Sequence, residues 1–257
     1  MPIITESLTV IVPCMNEERG VISTVESIHV AAPTLPLTVS VLLIDDGSRD
    51  QTRQRMEELC ARFPRTEMMV NPRNLGLGRS VMNAWQRIPS GSWVTVFPGD
   101  DEMRFEVIRA HLAVRDRFDI VLGFPANPVV RTLPRRLASA SFTQVTRLLY
   151  GFRFKYLNGI KLYRVDAFKG IDVVSGGHAF NAELLAKALL RNPELRIGEV
   201  PFVWRGRTSG ASKAIRPRSI VRAVREVAAG YRSVGEYRER AIRGELEHQG
   251  RPEPPHG

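Results

Sequence analysis

Four short segments of the chain place carboxylates and amides beside turn residues. They are Pro13-Cys14-Met15-Asn16-Glu17-Glu18, Asp45-Asp46-Gly47-Ser48, Asn71-Pro72-Arg73-Asn74-Leu75-Gly76-Leu77-Gly78-Arg79 and Pro98-Gly99-Asp100-Asp101-Glu102. A carboxylate accepts strongly from N–H and O–H donors, so the Asp45-Asp46 pair suits a nucleobase edge and ribose hydroxyls. The two alternate in direction along the chain: one faces a ligand and the other caps the following helix, and the spacing leaves open which. Gly76, Gly78 and Arg79 open a helix, where free N–H groups and a cation face a phosphate. Asp100 and Glu102, two apart on an extended turn, offer hard oxygen ligands to Mg²⁺ or Mn²⁺ bridging a carboxylate and a pyrophosphate. Helix N-caps favour Asp, Asn and Ser and would explain any one segment; they do not explain four in series. No Gly-x-Gly-x-x-Gly follows the first strand and no Gly-Lys-Ser/Thr loop exists, which disfavours nicotinamide cofactors and kinase-type chemistry.

A second group of chemically capable residues is cationic. Residues 1–130 carry 13 Arg, no Lys and 16 Asp+Glu, whereas residues 131–257 carry 24 Lys+Arg against 11 Asp+Glu. A basic half implies an anionic partner, although the excess of 32 Arg over 5 Lys also fits a solvated, arginine-rich surface. Arg131, Arg135, Arg136, Lys161, Arg164, Arg205, Arg207 and Lys213 are the candidates to hold a phosphate, whose oxygens the Arg fork matches. Arg207 with Ser212 and Lys213, in a Gly-containing loop, is the sharpest subset. Glu183 and Asp166 are the candidate general bases for a hydroxyl acceptor, and Glu183 reads equally as a first-turn helix-dipole residue.

The elements that must position these groups alternate. Apolar, β-branched runs at Leu8–Val12, Thr38–Ile44, Glu67–Val70, Trp93–Phe97 and Ile120–Phe124 are separated by helical spacing at Glu17–Ala32, Gln51–Phe63, Gly78–Ile88 and Arg104–Asp116. That pattern predicts an α/β fold, a Rossmann-like, mostly parallel sheet flanked by helices. Functional groups of such sheets gather at the C-terminal ends of the strands, where all four segments fall. Beyond it, Leu133–Tyr150 and Asn181–Arg191 read as helices, Gly159–Arg164 and Arg196–Trp204 contain strands, and Arg218–Arg243 is a long Arg-rich helix. The helix carries Val221, Val224, Val227, Ala228 and Tyr231 along one side. It suits an anionic membrane surface, packing on the domain, or a homodimer contact. The expected organisation is one domain over 1–215, with a nucleotide half (1–130) and an acceptor half (131–215), then a C-terminal amphipathic helix (216–248) and a Pro/Gly-rich disordered tail (249–257).

Composition narrows the class. With 43% hydrophobic and 25% charged residues the chain is globular, not disordered or fibrous. No apolar run approaches the roughly 18–20 residues that span a bilayer, and no signal peptide is visible. Two cysteines, Cys14 and Cys60, fit a reducing compartment; the expected location is cytoplasmic, with peripheral contact to the inner face of a membrane. The basic residues lack interleaved aromatics and no nucleic-acid motif is present, so nucleic acid is not an expected partner.

The order Val-Pro-Cys-Met-Asn-Glu-Glu, Leu-Ile-Asp-Asp-Gly-Ser-Arg-Asp-Gln-Thr, Asn-Leu-Gly-Leu-Gly-Arg-Ser and an acidic strand end resembles family 2 glycosyltransferases of GT-A fold. Asn158-Gly159-Ile-Lys-Leu-Tyr-Arg, Phe180-Asn-Ala-Glu183-Leu-Leu, Glu199-Val-Pro-Phe and Arg207-Thr-Ser-Gly-Ala-Ser-Lys213 are similar to the polyprenyl-phosphate, dolichol-phosphate mannose synthase-like branch. The resemblance implies a nucleotide-diphosphate sugar as donor, with Pro13, Asn16 and Glu17 lining the nucleoside pocket. Asp46, or Asp45, would contact base or ribose, and Arg79 would lie near the diphosphate. Asp100 stands at the second Asp of the family's Asp-x-Asp, with Glu102 two residues on; Pro98 replaces the first Asp, Met15 a usual aromatic, and Lys155 an Asp. The expected reaction is an inverting, metal-dependent hexosyl transfer. The leaving diphosphate needs a cation and positive side chains. A phosphomonoester acceptor is already anionic and needs no base. Asp100, Arg207, Lys213 and, for a hydroxyl acceptor, Glu183 form the expected catalytic set, and Arg131, Arg136, Lys161, Arg164, Arg207, Ser212 and Lys213 hold the acceptor phosphate. The same chemistry on a soluble hydroxyl acceptor is the alternative.

Overall fold

The structure, a computed structural model, describes residues 6–101, 103–127, 132–204 and 217–245, with side chains from residue 221 onward in the last segment. Seven strands form one sheet in the order β3-β2-β1-β4-β6-β5-β7. β1 (Ser7–Cys14), β2 (Thr38–Asp45), β3 (Thr66–Val70) and β4 (Trp93–Val96) run parallel. β5 (Ile120–Pro125) and β7 (Ile197–Phe202) pair in parallel with each other. β6 (Lys161–Arg164) lies between β4 and β5 and is antiparallel to both. The strands are near-continuous apolar runs because both faces are covered. One core holds Val10, Val25, Met56 and Ile108, the other Ile11, Val81, Leu122 and Leu184.

The helices are α1 (Gly20–Ala31), α2 (Thr52–Arg62), α3 (Leu77–Trp85), α4 (Ile108–Leu112), α5 (Leu133–Tyr150), α6 (Phe180–Arg191) and α7 (Pro217–Ile242). Two departures from the sequence pattern have a clear local cause. α1 starts at Gly20 rather than Glu17 because Asn16 is left-handed (φ 54°) and the N–H groups of residues 16–18 donate to Ser48, Thr52 and Asp50. Arg104–Asp116 is not one helix: α4 is flanked by 3₁₀ turns at Phe105–Val107 and Arg115–Arg117.

α7 packs on α5 and α6 through a face that hydropathy did not mark. Gly230 and Val234 are buried, while Val221, Val224 and Tyr231 of the expected apolar side are 51%, 64% and 50% exposed. Gly230 decides the register: a Cβ there would lie 2.7 Å from Ser175 Oγ and 3.4 Å from both Glu183 Oε2 and Tyr150 Oη.

Candidate functional site

The loops that follow β1, β2, β3 and β4 meet at one rim of the sheet, and polar groups and glycines make the contacts between them. The first two are laced together: Asn16 N–H donates to Ser48 Oγ (3.0 Å), Arg49 N–H to Asn16 Oδ1 (2.8 Å), and Glu17 N–H to Thr52 Oγ1 (2.8 Å). Glu18 N–H reaches Asp50 Oδ2 at 3.3 Å and Gln51 N–H reaches Glu18 Oε2 at 3.0 Å. Burial raises the Asp50 carboxyl, but donors from Thr52 and the Glu18 amide outweigh it and hold the group below its ordinary value. Ser48, Asp50 and Thr52 did not stand out as functional residues by type. Their spacing within Asp-Gly-Ser-x-Asp-x-Thr is the signal that finds them.

Asp46 fastens the second loop to the third. Its Oδ1 accepts from Asn71 Nδ2 (2.9 Å), Leu75 N–H (2.8 Å) and Ser80 Oγ (2.8 Å), and its Oδ2 from Gly76 N–H (3.0 Å). The side chain is buried, so these protein donors occupy it in place of a base or ribose. Its neighbour Asp45, also buried, caps the Asp-Gly-Ser turn by accepting Ser48 N–H at 2.9 Å. Gly47 (φ 76°) sits so close that a Cβ would be 2.7 Å from Asn74 N. Asn74 Nδ2 in turn meets Met15 Sδ of the first loop.

The opening of α3 differs from its sequence reading. Leu75 and Gly76 N–H belong to Asp46, and Gly78 N–H donates to Gly176 O at 2.9 Å. Gly78 is a glycine because a Cβ would fall 2.2 Å from Ser175 O and 2.7 Å from Phe180 Cβ. It therefore joins α3 to the 174–177 segment and offers no N–H to a phosphate. Arg79 is exposed on the first turn of α3.

The fourth loop closes on the first. A Cβ on Gly99 would be 2.4 Å from Cys14 Sγ, and one on Gly20 would be 2.5 Å from Gly99 O and 3.0 Å from Asp100 Cα. Asp101 is left-handed (φ 54°) with its N–H on Thr24 Oγ1 at 3.3 Å. Burial pushes the Cys14 thiol well above its ordinary value, and the charges of Glu17, Asp45, Asp100 and Asp50 push it the same way. Those four carboxylates, on the loop after β1, at the end of β2 and its loop, and on the loop after β4, all act on the one thiol. The rim is thus electronegative where a cation would sit, with Asp100 half-buried and Pro13 partly exposed beside it. No group of three or more His, Cys, Asp or Glu side chains capable of holding a metal occurs among the described residues. One carboxylate suits a divalent ion that takes its remaining oxygens from a diphosphate and water. Glu102 lies outside the described residues.

Other expected residues are elsewhere. Glu183 is fully buried on α6, where it accepts from Val174 N–H (3.0 Å), Ser175 N–H (2.9 Å) and Lys187 Nζ (2.8 Å). Burial raises its carboxyl, yet these donors, Lys187 first, bring it below the ordinary glutamate value. That arrangement ties α6 to the 174–177 segment and leaves no access for a substrate hydroxyl. Asp166 accepts Gly91 N–H at 2.8 Å, ahead of β4 and so at the opposite rim. Arg164 is at that far rim too, because antiparallel β6 pairs it with Trp93 at the start of β4. It stacks over the Trp93 ring at 5.0 Å and faces Asp119 at 4.0 Å, so it is corrected from a phosphate ligand to a fold residue. Lys161, at the other end of β6, is buried; its Nζ donates to Gly159 O at 2.9 Å, and burial lowers its pKa to about 7. An enclosed ammonium with that bond is not a surface phosphate ligand. Arg136 is exposed on the first turn of α5. Arg131, Arg205, Arg207, Ser212 and Lys213 lie outside the described residues.

Known proteins share this frame. Residues 9–188 match the model of glycosyl transferase family 2. The chain belongs to that family. Among relatives, it is 29% identical over 221 residues to polyprenol monophosphomannose synthase of Mycolicibacterium smegmatis, covering 81% of each chain. It is 25% identical over 216 residues to dodecaprenyl-phosphate galacturonate synthase of Rhizobium johnstonii, covering 82% of this chain but only 63% of that longer protein. Its fold resembles Mycobacterium tuberculosis glucosyl-3-phosphoglycerate synthase, solved with Mn²⁺, uridine diphosphate and phosphoglyceric acid. That match has a TM-score of 0.63 at 20% identity and covers 89% of this chain and 78% of that one. The GT-A-like sheet order and the family assignment agree with the sequence motifs.

Proposed function

We propose that this family 2 member transfers a hexose from a nucleotide-diphosphate sugar to a polyprenyl phosphate, with inversion, at a site organised around Asp100. The observation that carries the reading is the joining of the four loops at one rim: the loop after β1 bonds to Ser48 and Thr52, Asp46 binds the 71–80 loop, and Gly99 packs against Cys14. Pro13, Asn16, Glu17 and Asp45 line the nucleoside side, and Arg79 stands toward the diphosphate. Asp100, joined by Glu102, holds Mg²⁺ or Mn²⁺, which fits the electronegative rim and the Mn²⁺ and uridine diphosphate named with the fold neighbour. When bound, that ion neutralises charge developing on the leaving diphosphate. The protein's own part is positional: the cross-linked loops hold nucleoside and diphosphate so that the anomeric carbon faces the acceptor side, without reorganising as charge develops.

The acceptor class follows from the fate of the base candidates. Glu183 is enclosed with its oxygens occupied and Asp166 is at the wrong rim. A phosphomonoester attacks without giving up a proton, and so needs neither. The named activities of the two relatives, both on polyprenyl phosphates, support the same class. Arg131, Arg136, Arg207, Ser212 and Lys213 are assigned to that phosphate on residue type. The chain is placed at the inner face of a membrane, where such a lipid is met; no helix of the described residues is long and apolar enough to cross one. Incubation with labelled nucleotide sugars, Mn²⁺ and polyprenyl phosphate is expected to give a lipid-linked sugar. Transfer to soluble hydroxyl acceptors with no lipid product from any donor would refute the acceptor assignment.

A further inference from the structure

The helices α6 and α7 and the 169–174 segment border a cavity of about 450 Å³, a size that takes a small molecule. It lies away from the rim described above: Lys169, exposed at its edge, reaches Ser90 Oγ ahead of β4 at 2.6 Å. Arg191 of α6 lines the cavity and is buried. Its Nη1 donates to Lys169 O (2.6 Å) and its Nη2 to Ala167 O (2.7 Å), both neutral carbonyls. Among the described residues no carboxylate pairs with it; burial lowers its pKa, and only the Tyr237 phenol acts the other way. A buried guanidinium without a counter-charge is costly, and the donors that remain of its five can hold an oxyanion that supplies one. Lys187, on the same lining, differs in being neutralised by Glu183 at 2.8 Å.

The rest of the lining selects what the anion is attached to. Lys169 adds a second cation at the edge, whereas Arg240 is taken up by Glu245 at 3.6 Å. Asp172 and Glu236 are exposed carboxylates of the same lining. They accept from hydroxyl groups and repel further negative charge, so a polyanion such as a diphosphate fits poorly and a single phosphate carrying hydroxyls fits well. We infer that this cavity is a second binding site, for a small polyhydroxylated phosphate monoester, with its phosphate on Arg191 and its hydroxyl groups on Asp172 and Glu236. The inference concerns the far side of α6 and does not rest on the reading of the rim, so the two fail separately.

The test is calorimetric titration of the full chain with glucose 6-phosphate at fixed ionic strength, repeated with glucose and with inorganic phosphate. The ester is expected to bind, glucose not to bind, and inorganic phosphate to bind about tenfold more weakly for want of the hydroxyl contacts. Arg191→Met is expected to weaken the ester about tenfold or more, and Lys169→Glu about threefold or more. Arg191→Met also removes two bonds to carbonyls; Lys169 is exposed, so its variant, compared at unchanged melting temperature, tests the site without that loss. Bound ester is expected to slow amide exchange in residues 169–174 and 233–240 and to leave residues 75–79 unchanged. Absence of wild-type binding, equal binding of glucose or of inorganic phosphate, or wild-type affinity in both variants overturns the proposal. Protection confined to residues 75–79 places the ester at the rim and overturns it equally.

Discussion

Replacing Glu183 by Gln separates a structural carboxylate from a catalytic one. In the structure Glu183 accepts two backbone N–H groups and the Lys187 ammonium, with the carboxylate wholly buried and Lys187 nearly so; the same ammonium donates to Asp172 O (2.7 Å) and Ser233 Oγ (2.8 Å). The substituted amide would keep one acceptor, turn an N–H toward groups that are themselves donors, and leave the Lys187 charge without its counter-ion. Removing one partner of a buried pair costs roughly 3–5 kcal/mol, and for a chain of this size that is a fall in melting temperature of roughly 6–20 °C. The pH dependence carries the same signature. Because the folded pKa is depressed, the carboxylate's contribution is complete above the ordinary value of 4.5 and disappears as pH falls through the folded value. Wild type and Glu183→Gln are therefore expected to differ at pH 7 and to converge in acid, as read by urea unfolding across pH. Lys187→Met combined with Glu183→Gln is expected to cost less than the sum of the single changes, since the uncompensated charge goes with the lysine. Turnover of the folded fraction, measured well below the midpoint, is expected to stay within a few-fold of wild type. Normal stability together with a loss of about a thousandfold in kcat would refute this and restore Glu183 as the base of a hydroxyl acceptor.

Three other outcomes are expected. Asp46→Asn presents an amide to a set of donors and leaves at least one of Leu75 N–H, Gly76 N–H, Asn71 Nδ2 and Ser80 Oγ without an acceptor, which costs about 2–3 kcal/mol and loosens the 71–79 loop. Urea unfolding and nucleoside-diphosphate calorimetry should fall together, and loss of binding at unchanged stability would return Asp46 to direct ligand contact. Lys161, lowered from 10.5 to about 7 by burial, favours the unfolded state most below pH 7, and the penalty is relieved as pH rises toward 10.5. Lys161→Met is therefore expected to stabilise more at pH 6 than at pH 10, and a pH-independent effect would contradict the burial. Gly230→Val overpacks the junction of α7 with Ser175, Glu183 and Tyr150, at roughly 1–3 kcal/mol. Faster amide exchange in residues 174–177 is the expected readout, and unchanged exchange would mean that α7 does not hold that segment.

The parallel half of the sheet and the gathering of polar segments at its C-terminal rim were legible because both rest on local pattern: apolar runs of strand length, helical spacing, and turn residues at strand ends. Which member of the Asp pair the 71–80 loop takes up was not legible, since it depends on where that loop brings its donors. β6 has four residues and nothing in its composition states its direction. Antiparallel pairing with Trp93–Thr95 is a long-range outcome, and it alone separates Lys161 from Arg164 and sends the latter to the far rim. Glu183 looked available because a first-turn glutamate is usually solvated; its burial follows from α7 closing over α6, for which Gly230 is the sequence trace. The apolar side of α7 left its placement open, and the packing of Gly230 against α6 and Tyr150 leaves Val221, Val224 and Tyr231 exposed.

The proposed grip of the loops after β1, β2, β3 and β4 on one nucleoside diphosphate, through a divalent cation on Asp100, is tested most directly by a crystal structure with a nucleoside diphosphate and Mn²⁺, using anomalous scattering to locate the ion. The ion is expected between Asp100 and the diphosphate, at about 2.1 Å from a carboxylate oxygen, with Mn²⁺-dependent binding lost in Asp100→Asn. An ion that avoids Asp100, or unchanged Mn²⁺-dependent binding in Asp100→Asn, would contradict it.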